Sequence, residues 1–433
     1  MIIDFSVKNF RSFQAEQRIS FVASNYDKDL PGSVIELALP GLESVKLLKA
    51  LAIYGANAAG KSNVLKAMMF LDYFVESSAT DLDEGDPTGV EPFVLCPECP
   101  KQPSEFGLRF VVEGVRYHFA LVVDQERVLY ESLSAFPEGV ERVWYERSWN
   151  EETAIYDWSP HRPTGFKRDP AIVGYTRQNA LFLSTAVKWN NEQLAPVYRW
   201  FKQRLQFLRL NADFPILGPD FTAGYMLKGP NERNQVVQLL RHGDFGILSA
   251  ETRAHDIRRA DIPSGIPDKV AAELLKKKRL EVVLGHRGAE GKEFPLEWEE
   301  ESSGTQKLFS LAGPWLEILK HGHVAGIDEI ESSMHPAMVV ALLRLILDPE
   351  QNPKNAQIVF TTHNPLLLDP TLLRRDQVWF ADKDDEGATH LYPLSDYKPR
   401  KGESLVRGYL AGRYGAVPFI PNGLLAREGA DGP

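Results

Sequence analysis

The stretch "GANAAGKS", from Gly55 to Ser62, sets two glycines, a lysine and a serine at a fixed spacing that suits phosphate chemistry. It matches G-x-x-x-x-G-K-[ST] in full, between a strand-like apolar run and a helix-like segment. Glycines let the backbone wrap phosphates, while backbone amides and the helix N-terminus supply positive charge. Lys61 would reach the β- and γ-phosphates, and the Ser62 hydroxyl would ligate Mg²⁺. The candidate ATP-binding positions are Gly55, Ala56, Asn57, Ala58, Ala59, Gly60, Lys61, Ser62 and Asn63.

Two acids, Asp328 and Glu329, end a short strand-like run in "HVAGIDEIESSMHP". An acid at a strand end can hold Mg²⁺ directly or through water, and a second acid beside it can polarise the attacking water. Asp–Glu pairs are also common on protein surfaces, so their meaning depends on the lysine upstream. We predict that Asp328 is a metal ligand and that Glu329 and Lys61 are catalytic.

A third candidate catalytic residue is His363, which follows the β-rich run in "QIVFTTHNP". A histidine just past a strand end could contact a γ-phosphate. It could equally cap the next helix, because Pro365 suits a first helical turn. Taken alone, the capping interpretation is favoured.

The segment "ESSGTQKLF" places serines and a glycine in front of an apolar helical stripe. Read alone it is a helix start, with Ser303 as the capping residue. The stripe that follows includes Leu308, Leu311 and Trp315, which indicates a core-facing helix. Pro314 lies inside this helix, and we expect it to kink or interrupt the helix near Ser310.

The elements that must position these residues change in character along the chain. Residues up to about 157 read as strands around one helix, and the region from about 176 to 290 reads as helices joined by Gly/Pro-rich connections. After 323, strand, helix and strand alternate, which favours an α/β fold with a parallel sheet.

Composition is typical of a globular protein, with 43% apolar and 25% charged residues and a net charge of −10. This charge argues against a protein coated by nucleic acid, although a local basic run, "KKKR" at 276–279, could be a solvated face or a DNA or RNA contact. No apolar window is long enough to span a membrane and no signal-peptide pattern opens the chain. We expect a cytoplasmic protein without membrane contact.

The two cysteines, Cys96 and Cys99, form a single C-x-x-C in "LCPECP". This is half of a zinc knuckle, and no second pair completes it. A redox motif would open a helix, whereas the flanking prolines favour an irregular loop. We expect a loop without metal.

The order of these motifs resembles the ABC-type ATPase heads of the SMC, Rad50 and RecF class. More narrowly it resembles the RloA/AbiLi-like ATPases, relatives of the OLD family found in bacterial anti-phage systems. In that class "NFRSF" at 9–13 places an arginine near the nucleotide, which implies ATP contacts for Arg11 and, as weaker candidates, Asn9 and Ser12. The motifs that carry the resemblance are "NFRSF", "GANAAGKSN", "GIDEIESSMHP" and "FTTHNPLLLD", with "RDQVWFADKDDEG", "YPLSDYKPRKGES" and "YLAGRYGAVPFI" for the narrower group.

The resemblance implies a signature segment that acts on the nucleotide of a second protomer. The pattern of the class is L-S-G-G-Q, and this chain departs from it, with an acid, Glu301, before the serines. The resemblance also implies a P-loop NTPase of ABC-head type that hydrolyses ATP with Mg²⁺. Such a protein forms a homodimer or larger homo-oligomer through its ATP sites. The residues that stand in the signature are Ser303, Gly304, Thr305 and Gln306.

The same resemblance divides the chain and suggests its partner. We expect an ATPase head built from 1–175 and 291–420, a helical insertion at 176–290 and a flexible tail at 421–433. Little sequence follows the histidine region, so we expect any nuclease to be a separate effector, of RloB/AbiLii-like or Toprim type. The chain would then be the sensor or regulator of that effector in anti-phage defence.

Three alternatives stay open from the sequence. One is a non-hydrolysing scaffold that binds ATP, assembles and sequesters a partner. Another is a RecF-like DNA-repair ATPase. The third, an AAA+ remodelling ATPase, would need a C-terminal helical lid with sensor arginines and would leave Ser303 and His363 unexplained.

Overall fold

The computed structural model describes most of the chain. No helix among the described residues is long and apolar enough to cross a membrane. The predicted tail, 421–433, lies outside the described residues, as does Lys277 of the basic run. The described residues are 1–159, 165–209, 218–243, 246–259, 262, 267, 271–272, 275–276, 278–332, 334–400 and 402–417.

Runs of strands are separated by helices along this described part of the chain. The strands are β1 (Ile2–Lys8), β2 (Gln17–Ser20), β3 (Val34–Leu39), β4 (Leu42–Leu48), β5 (Ala50–Tyr54), β6 (Ser104–Val112), β7 (Val115–Val123), β8 (Val128–Phe136), β9 (Arg142–Asn150), β10 (Ile155–Ser159), β11 (Leu205–Arg209), β12 (Ile247–Asp256), β13 (Lys278–Arg287), β14 (Glu293–Glu297), β15 (Val324–Asp328), β16 (Gln357–Thr362), β17 (Val378–Lys383) and β18 (Thr389–Pro393). The α-helices are α1 (Lys61–Ser77), α2 (Pro170–Tyr175), α3 (Phe182–Lys188), α4 (Ala195–Arg204), α5 (Pro219–Met226), α6 (Pro230–His242), α7 (Ser303–His321), α8 (Pro336–Leu347) and α9 (Leu405–Leu410).

A seven-stranded antiparallel sheet forms the N-terminal part of the fold, in the order β10-β9-β8-β7-β6-β1-β2. Its β6–β7 hairpin turns at Glu113 and Gly114, which have φ angles of 50° and 78°. A two-residue turn with positive φ at both positions matches the twist of paired strands. Glu113 and Gly114 therefore form the tight turn of this hairpin.

A six-stranded sheet carries the motif residues, in the order β11-β15-β16-β5-β17-β18. All its pairings are parallel except that of β18 with β17. Every residue of β5, "ALAIY", is buried, as expected for a strand covered on both faces. The predicted mixed α/β fold is confirmed.

Helix α1 lies between the two large sheets, so that three layers share one core. Its apolar residues Met68 and Phe74 belong to the same buried cluster as Leu108 of the antiparallel sheet and Ile53 of the parallel sheet. A second cluster covers the other face of the parallel sheet with α5 to α8. Packing on both faces holds in place the edge of the sheet where β5, β15 and β16 end.

The region 176–290 is less helical than the sequence predicts. Helices α3 to α6 form, but β11 joins the parallel sheet, and β12 and β13 pair with β14 in a three-stranded sheet. The helical interpretation of this region is wrong at "KKKRL", because Lys278 begins β13 opposite Asp256. Cross-strand pairing overrides the local helical pattern here.

Helix α7 continues through Pro314, so the predicted interruption is wrong. Proline leaves the carbonyl of Ser310 without its usual donor. The Thr222 hydroxyl of α5 lies 2.6 Å from the carbonyl oxygen of Phe309 and 3.3 Å from that of Ser310. Thr222 also accepts from the Gly313 amide at 3.0 Å, so a neighbouring helix replaces what the proline removes.

The cysteine segment is irregular, as predicted, apart from a short 3₁₀ helix at Cys99–Lys101. Cys96 and Cys99 are joined by a disulfide, which the sequence did not predict. Among the described residues, no three His, Cys, Asp or Glu side chains form a cluster that could hold a metal ion.

Candidate active site

The phosphate loop connects the end of β5 to the start of α1 and has little room for side chains. Gly60 has a φ angle of 97°, and a methyl group there would collide with the hydroxyls of Thr389 and Ser12. A methyl group at Gly55 would collide with the carbonyl oxygen of Ala381. Both glycines are therefore required by space, and Gly60 also by its backbone conformation.

Lys61 is nearly buried at the first position of α1, with 5% of its surface exposed. Its ammonium donates to the carbonyl oxygens of Gly55 at 3.0 Å and Ala56 at 2.9 Å. Burial lowers the pKa of Lys61 to about 8, although three nearby carboxylates oppose this shift. Those carboxylates belong to Asp328, Glu329 and Glu331.

Ser62 and Asp328 lie side by side where α1 begins and β15 ends. The Ser62 hydroxyl donates to Asp328 Oδ1 at 2.8 Å. A hydroxyl and a carboxylate are hard oxygen donors, and Mg²⁺ uses such donors together with nucleotide phosphates. The two side chains predicted to hold the metal are therefore brought together, and their chemistry fits Mg²⁺.

Glu329 follows in a left-handed backbone conformation, with a φ angle of 48°. Its amide donates to the Thr361 hydroxyl at 2.7 Å, and the same hydroxyl donates to Asp328 Oδ1 at 2.7 Å. The turn at Glu329 directs the chain away from β15 directly after Asp328. Thr361, on the neighbouring strand β16, therefore contacts both acids.

His363 comes directly after β16, at the same edge of the sheet. Its backbone amide donates to Glu331 Oε1 at 2.5 Å. Burial, aided by the positive charge of Lys61, lowers the pKa of the His363 ring against the opposing nearby carboxylates. The capping role considered for His363 belongs instead to Asn364, whose side chain accepts from the Leu366 amide.

The "NFRSF" segment contacts the phosphate loop through Ser12. The side-chain amide nitrogen of Asn63 donates to the Ser12 hydroxyl at 2.7 Å. Thr389 of β18 places its hydroxyl 2.8 Å from that of Ser12 and 2.9 Å from the carbonyl oxygen of Ala59. Segments from both ends of the chain therefore hold the loop.

Arg11 and Asn9 have different surroundings. Arg11 pairs with Glu91 at 2.6 Å and keeps about a third of its side chain exposed. Asn9 is buried, and its amide nitrogen donates to three carbonyl oxygens of the cysteine loop. Asn9 thus holds that loop, a structural role that the sequence did not predict. The ATP contacts of both residues stay predictions.

The signature residues begin α7, but the cap is Ser302, not Ser303 as predicted. The Ser302 hydroxyl accepts from the Thr305 amide at 3.1 Å. Ser303 is exposed, Thr305 is buried, and the Gln306 side chain donates to the carbonyl oxygen of Trp298 at 2.7 Å. Ser303 is therefore the most accessible of the four.

Three further residues of this site were missed by the sequence reasoning. Glu331 stands two residues after the predicted acid pair, and a third acid in "DEIE" was the available signal. Thr361 stands two residues before His363 and could have been found from the parallel pairing of β15 and β16. Thr389 contacts the phosphate loop from a distant strand, and no local pattern identifies it.

A strand that leads through a phosphate loop into a helix, beside a strand that ends in acids, defines a P-loop NTPase. The mixed six-stranded sheet that carries this loop is flanked by the seven-stranded antiparallel sheet. The chain belongs to the family described as "AAA domain, putative AbiEii toxin, Type IV TA system", whose model matches residues 51–369.

Solved structures similar to this chain include heads of SMC proteins. An SMC head bound to the C-winged helix domain of ScpA is 14% identical, with a TM-score of 0.42, and the alignment covers 92% of this chain and 99% of that one. The SMC head domain from Thermotoga maritima is 13% identical, with a TM-score of 0.40, over 90% and 98% of the two chains. A search of curated protein sequences returned no match.

Proposed function

We propose that this chain is an ATPase that converts ATP and water to ADP and phosphate with Mg²⁺. The observation that carries the proposal is the linked set of Ser62, Asp328 and Glu329 next to the buried Lys61. A phosphate loop alone binds nucleotides. The second acid beside the metal-binding position is what adds hydrolysis.

The proposed chemistry assigns one task to each side chain. Glu329 takes a proton from water as the water oxygen bonds to the γ-phosphorus, and the bond to the β–γ bridging oxygen breaks. Lys61 stabilises charge on the β- and γ-phosphates, and His363 supplies a neutral ring that can hydrogen-bond the γ-phosphate. Ser62 and Asp328 would hold Mg²⁺, which would neutralise phosphate charge.

Turnover of the purified chain tests this proposal. Phosphate release by the wild-type protein should be lost in Lys61→Ala, together with most ATP binding, and lost in Glu329→Gln with binding retained. Equal phosphate release by wild type and Glu329→Gln would contradict the proposal. ATP binding and assembly without phosphate release would favour the non-hydrolysing scaffold.

We also propose that ATP joins two copies of this chain through the exposed start of α7. The amides and serine of a helix N-terminus suit an anion, here the γ-phosphate held by the other copy. Ser303→Arg should leave ATP binding intact and abolish ATP-driven association and hydrolysis. Molecular mass with and without ATP measures the association, and Ser303→Ala is the control for loss of the hydroxyl alone. Retained turnover in Ser303→Arg would contradict this proposal and show that the segment only begins the helix.

The wider role that we propose is a cytoplasmic regulator of a separate effector, in the RloA/AbiLi-like manner and in anti-phage defence. The family description, which names a toxin of a toxin–antitoxin system, supports a function within a system of two components. The product of the neighbouring gene should bind the chain and change its ATP turnover. No change in mass or turnover on adding that protein would contradict this role.

A further inference from the structure

Thr361 is the residue on which the two acids of the site converge. It lies on β16 and is fully buried, between β15 and β5. Its hydroxyl oxygen is 2.7 Å from Asp328 Oδ1 and 2.7 Å from the Glu329 amide nitrogen. Both contacts lie near Lys61, because the charges of Asp328 and Glu329 act on its pKa.

The two contacts use the hydroxyl in opposite senses. A threonine hydroxyl has one proton to donate and two lone pairs that accept. Here it donates to the Asp328 carboxylate and accepts from the Glu329 amide. The geometry therefore uses both abilities at once, and a side chain that only donates or only accepts could not replace it.

Both contacts bear on groups whose direction matters for the reaction. Asp328 Oδ1 receives the hydroxyls of Thr361 and Ser62 together, which fixes the rotation of the carboxylate. The amide contact holds Glu329 in its left-handed conformation, with a φ angle of 48°. Such a conformation persists only where its surroundings determine it. The adjoining Ile330 amide donates to the Thr361 carbonyl oxygen at 3.2 Å, which extends this support by one residue.

We propose that Thr361 is a positioning residue that sets the metal-binding acid and the water-activating acid relative to each other. This inference rests on the proposed ATPase function. It assigns to a single hydroxyl a part in both Mg²⁺ binding and turnover, although Thr361 need not touch the substrate.

The test compares Thr361→Val, which keeps the shape and removes the hydroxyl, with Thr361→Ser, which keeps the hydroxyl. In Thr361→Val we expect kcat to fall by about 10- to 100-fold, as for other residues that orient metal ligands. The Mg²⁺ concentration for half-maximal activity should rise by about tenfold on the same grounds, while KM for ATP changes by less than about threefold. Thr361→Ser should restore both quantities to within about threefold of wild type.

Thr185→Val is the matched control. Thr185 is also buried, and its hydroxyl donates to the Leu181 carbonyl oxygen at 2.9 Å in α3, which carries no site residue. It should leave kcat and the Mg²⁺ dependence unchanged. A similar loss of turnover in both valine variants would show a general effect of losing a buried hydroxyl.

Several results would overturn the inference. Unchanged kcat and Mg²⁺ dependence in a folded Thr361→Val protein would do so, as would a folded Thr361→Ser protein with the activity of the valine variant. Thr361→Ala replaces the valine variant if the latter does not fold, and failure of both to fold would assign the hydroxyl to the fold instead. If the wild-type chain binds ATP without hydrolysing it, the proposed function fails separately. The Mg²⁺ dependence of ATP binding, measured in the same variants whether or not they hydrolyse ATP, decides the role of Thr361 independently of turnover.

Discussion

The two large sheets each bury a polar network around carboxylates, and the networks differ in how completely those carboxylates are hydrogen-bonded. In the antiparallel sheet, Glu131 and Arg147 are fully buried and lie 2.9 Å apart. Glu131 Oε1 accepts from the Tyr145 hydroxyl and the Leu183 amide, and Oε2 accepts from Arg147 Nε and the Phe182 amide. Each carboxylate oxygen has two donors.

The carboxylates at the edge of the parallel sheet are hydrogen-bonded less completely. One oxygen of Glu331 is buried without a hydrogen-bond partner among the described residues, as are the Tyr54 hydroxyl and, in the antiparallel sheet, Arg147 Nη1. Glu329 has a left-handed backbone, and burial lowers the pKa of Lys61. A bound nucleotide would stabilise the buried Lys61 ammonium, because its phosphates carry the opposite charge.

The difference separates a network that holds a fold from one that serves a ligand. A buried carboxylate with all its donors stabilises the arrangement around it. Incomplete hydrogen bonding and strain lower stability and persist where chemistry requires them. Mutations in the antiparallel sheet's network should therefore lower the free energy of unfolding, whereas mutations at the edge of the parallel sheet should lower turnover.

Glu329→Gln should give the largest effect of all. Loss of the water-activating carboxylate is expected to lower kcat by about 10²- to 10⁴-fold, since general-base catalysis has this magnitude. The melting temperature should change little, because glutamine keeps the size and shape of the side chain and Glu329 is only half-buried. Steady-state phosphate release and a thermal melt measure the two quantities. A large drop in melting temperature with retained turnover would place Glu329 with the structural network.

Glu131→Gln should show the opposite pattern. Removing one partner of a buried ion pair leaves Arg147 uncompensated and is expected to cost about 3–5 kcal/mol of unfolding free energy. Turnover per folded molecule should not change. Glu105→Gln is the control, because Glu105 pairs with Lys8 at the surface, where such a pair contributes about 0–1 kcal/mol. Equal destabilisation by both variants in urea unfolding would contradict the contrast.

Lys61 should make ATP affinity depend on pH. Its pKa is about 8 in the free protein, and bound phosphates favour the charged ammonium and raise this pKa. ATP binding then takes up a proton above pH 8, so affinity should fall by up to about tenfold per pH unit as the pH rises. Fluorescence titration with an ATP analogue between pH 7 and 10 measures this slope. Lys61→Met should bind weakly with no such slope, and a flat wild-type profile would contradict the pKa.

Ser302→Ala should give the smallest effect, at the exposed start of α7 that belongs to neither network. Loss of the cap on the Thr305 amide is expected to cost about 0.5–2 kcal/mol of unfolding free energy. Ser303→Ala, one residue further on, should cost less than about 0.5 kcal/mol, as surface substitutions usually do. Urea unfolding of both variants measures the two losses. A larger loss of unfolding free energy in Ser303→Ala than in Ser302→Ala would show that Ser303 is the cap.

The sequence predicted the parts of the site that lie within short motifs. Lys61, Ser62 and Asp328 were identified because a phosphate loop and a strand-end acid depend on local spacing. Thr361 was missed because its role arises only when β16 pairs with β15. The Glu131–Arg147 network was missed for the same reason, since α3 completes it from a separate part of the chain. Strand β13 was misread because its pairing with β12 outweighs a helical pattern.

The contact of Thr389 with Ser12 and the phosphate loop links nucleotide binding to the order in which the chain is translated. The loop leaves the ribosome early, whereas the strand that contacts it is 330 residues away from Ala59 along the chain. A nascent chain that still lacks β18 has the full phosphate-binding motif but not the contacts that shape it. We therefore expect nucleotide retention to begin only after β18 has been translated.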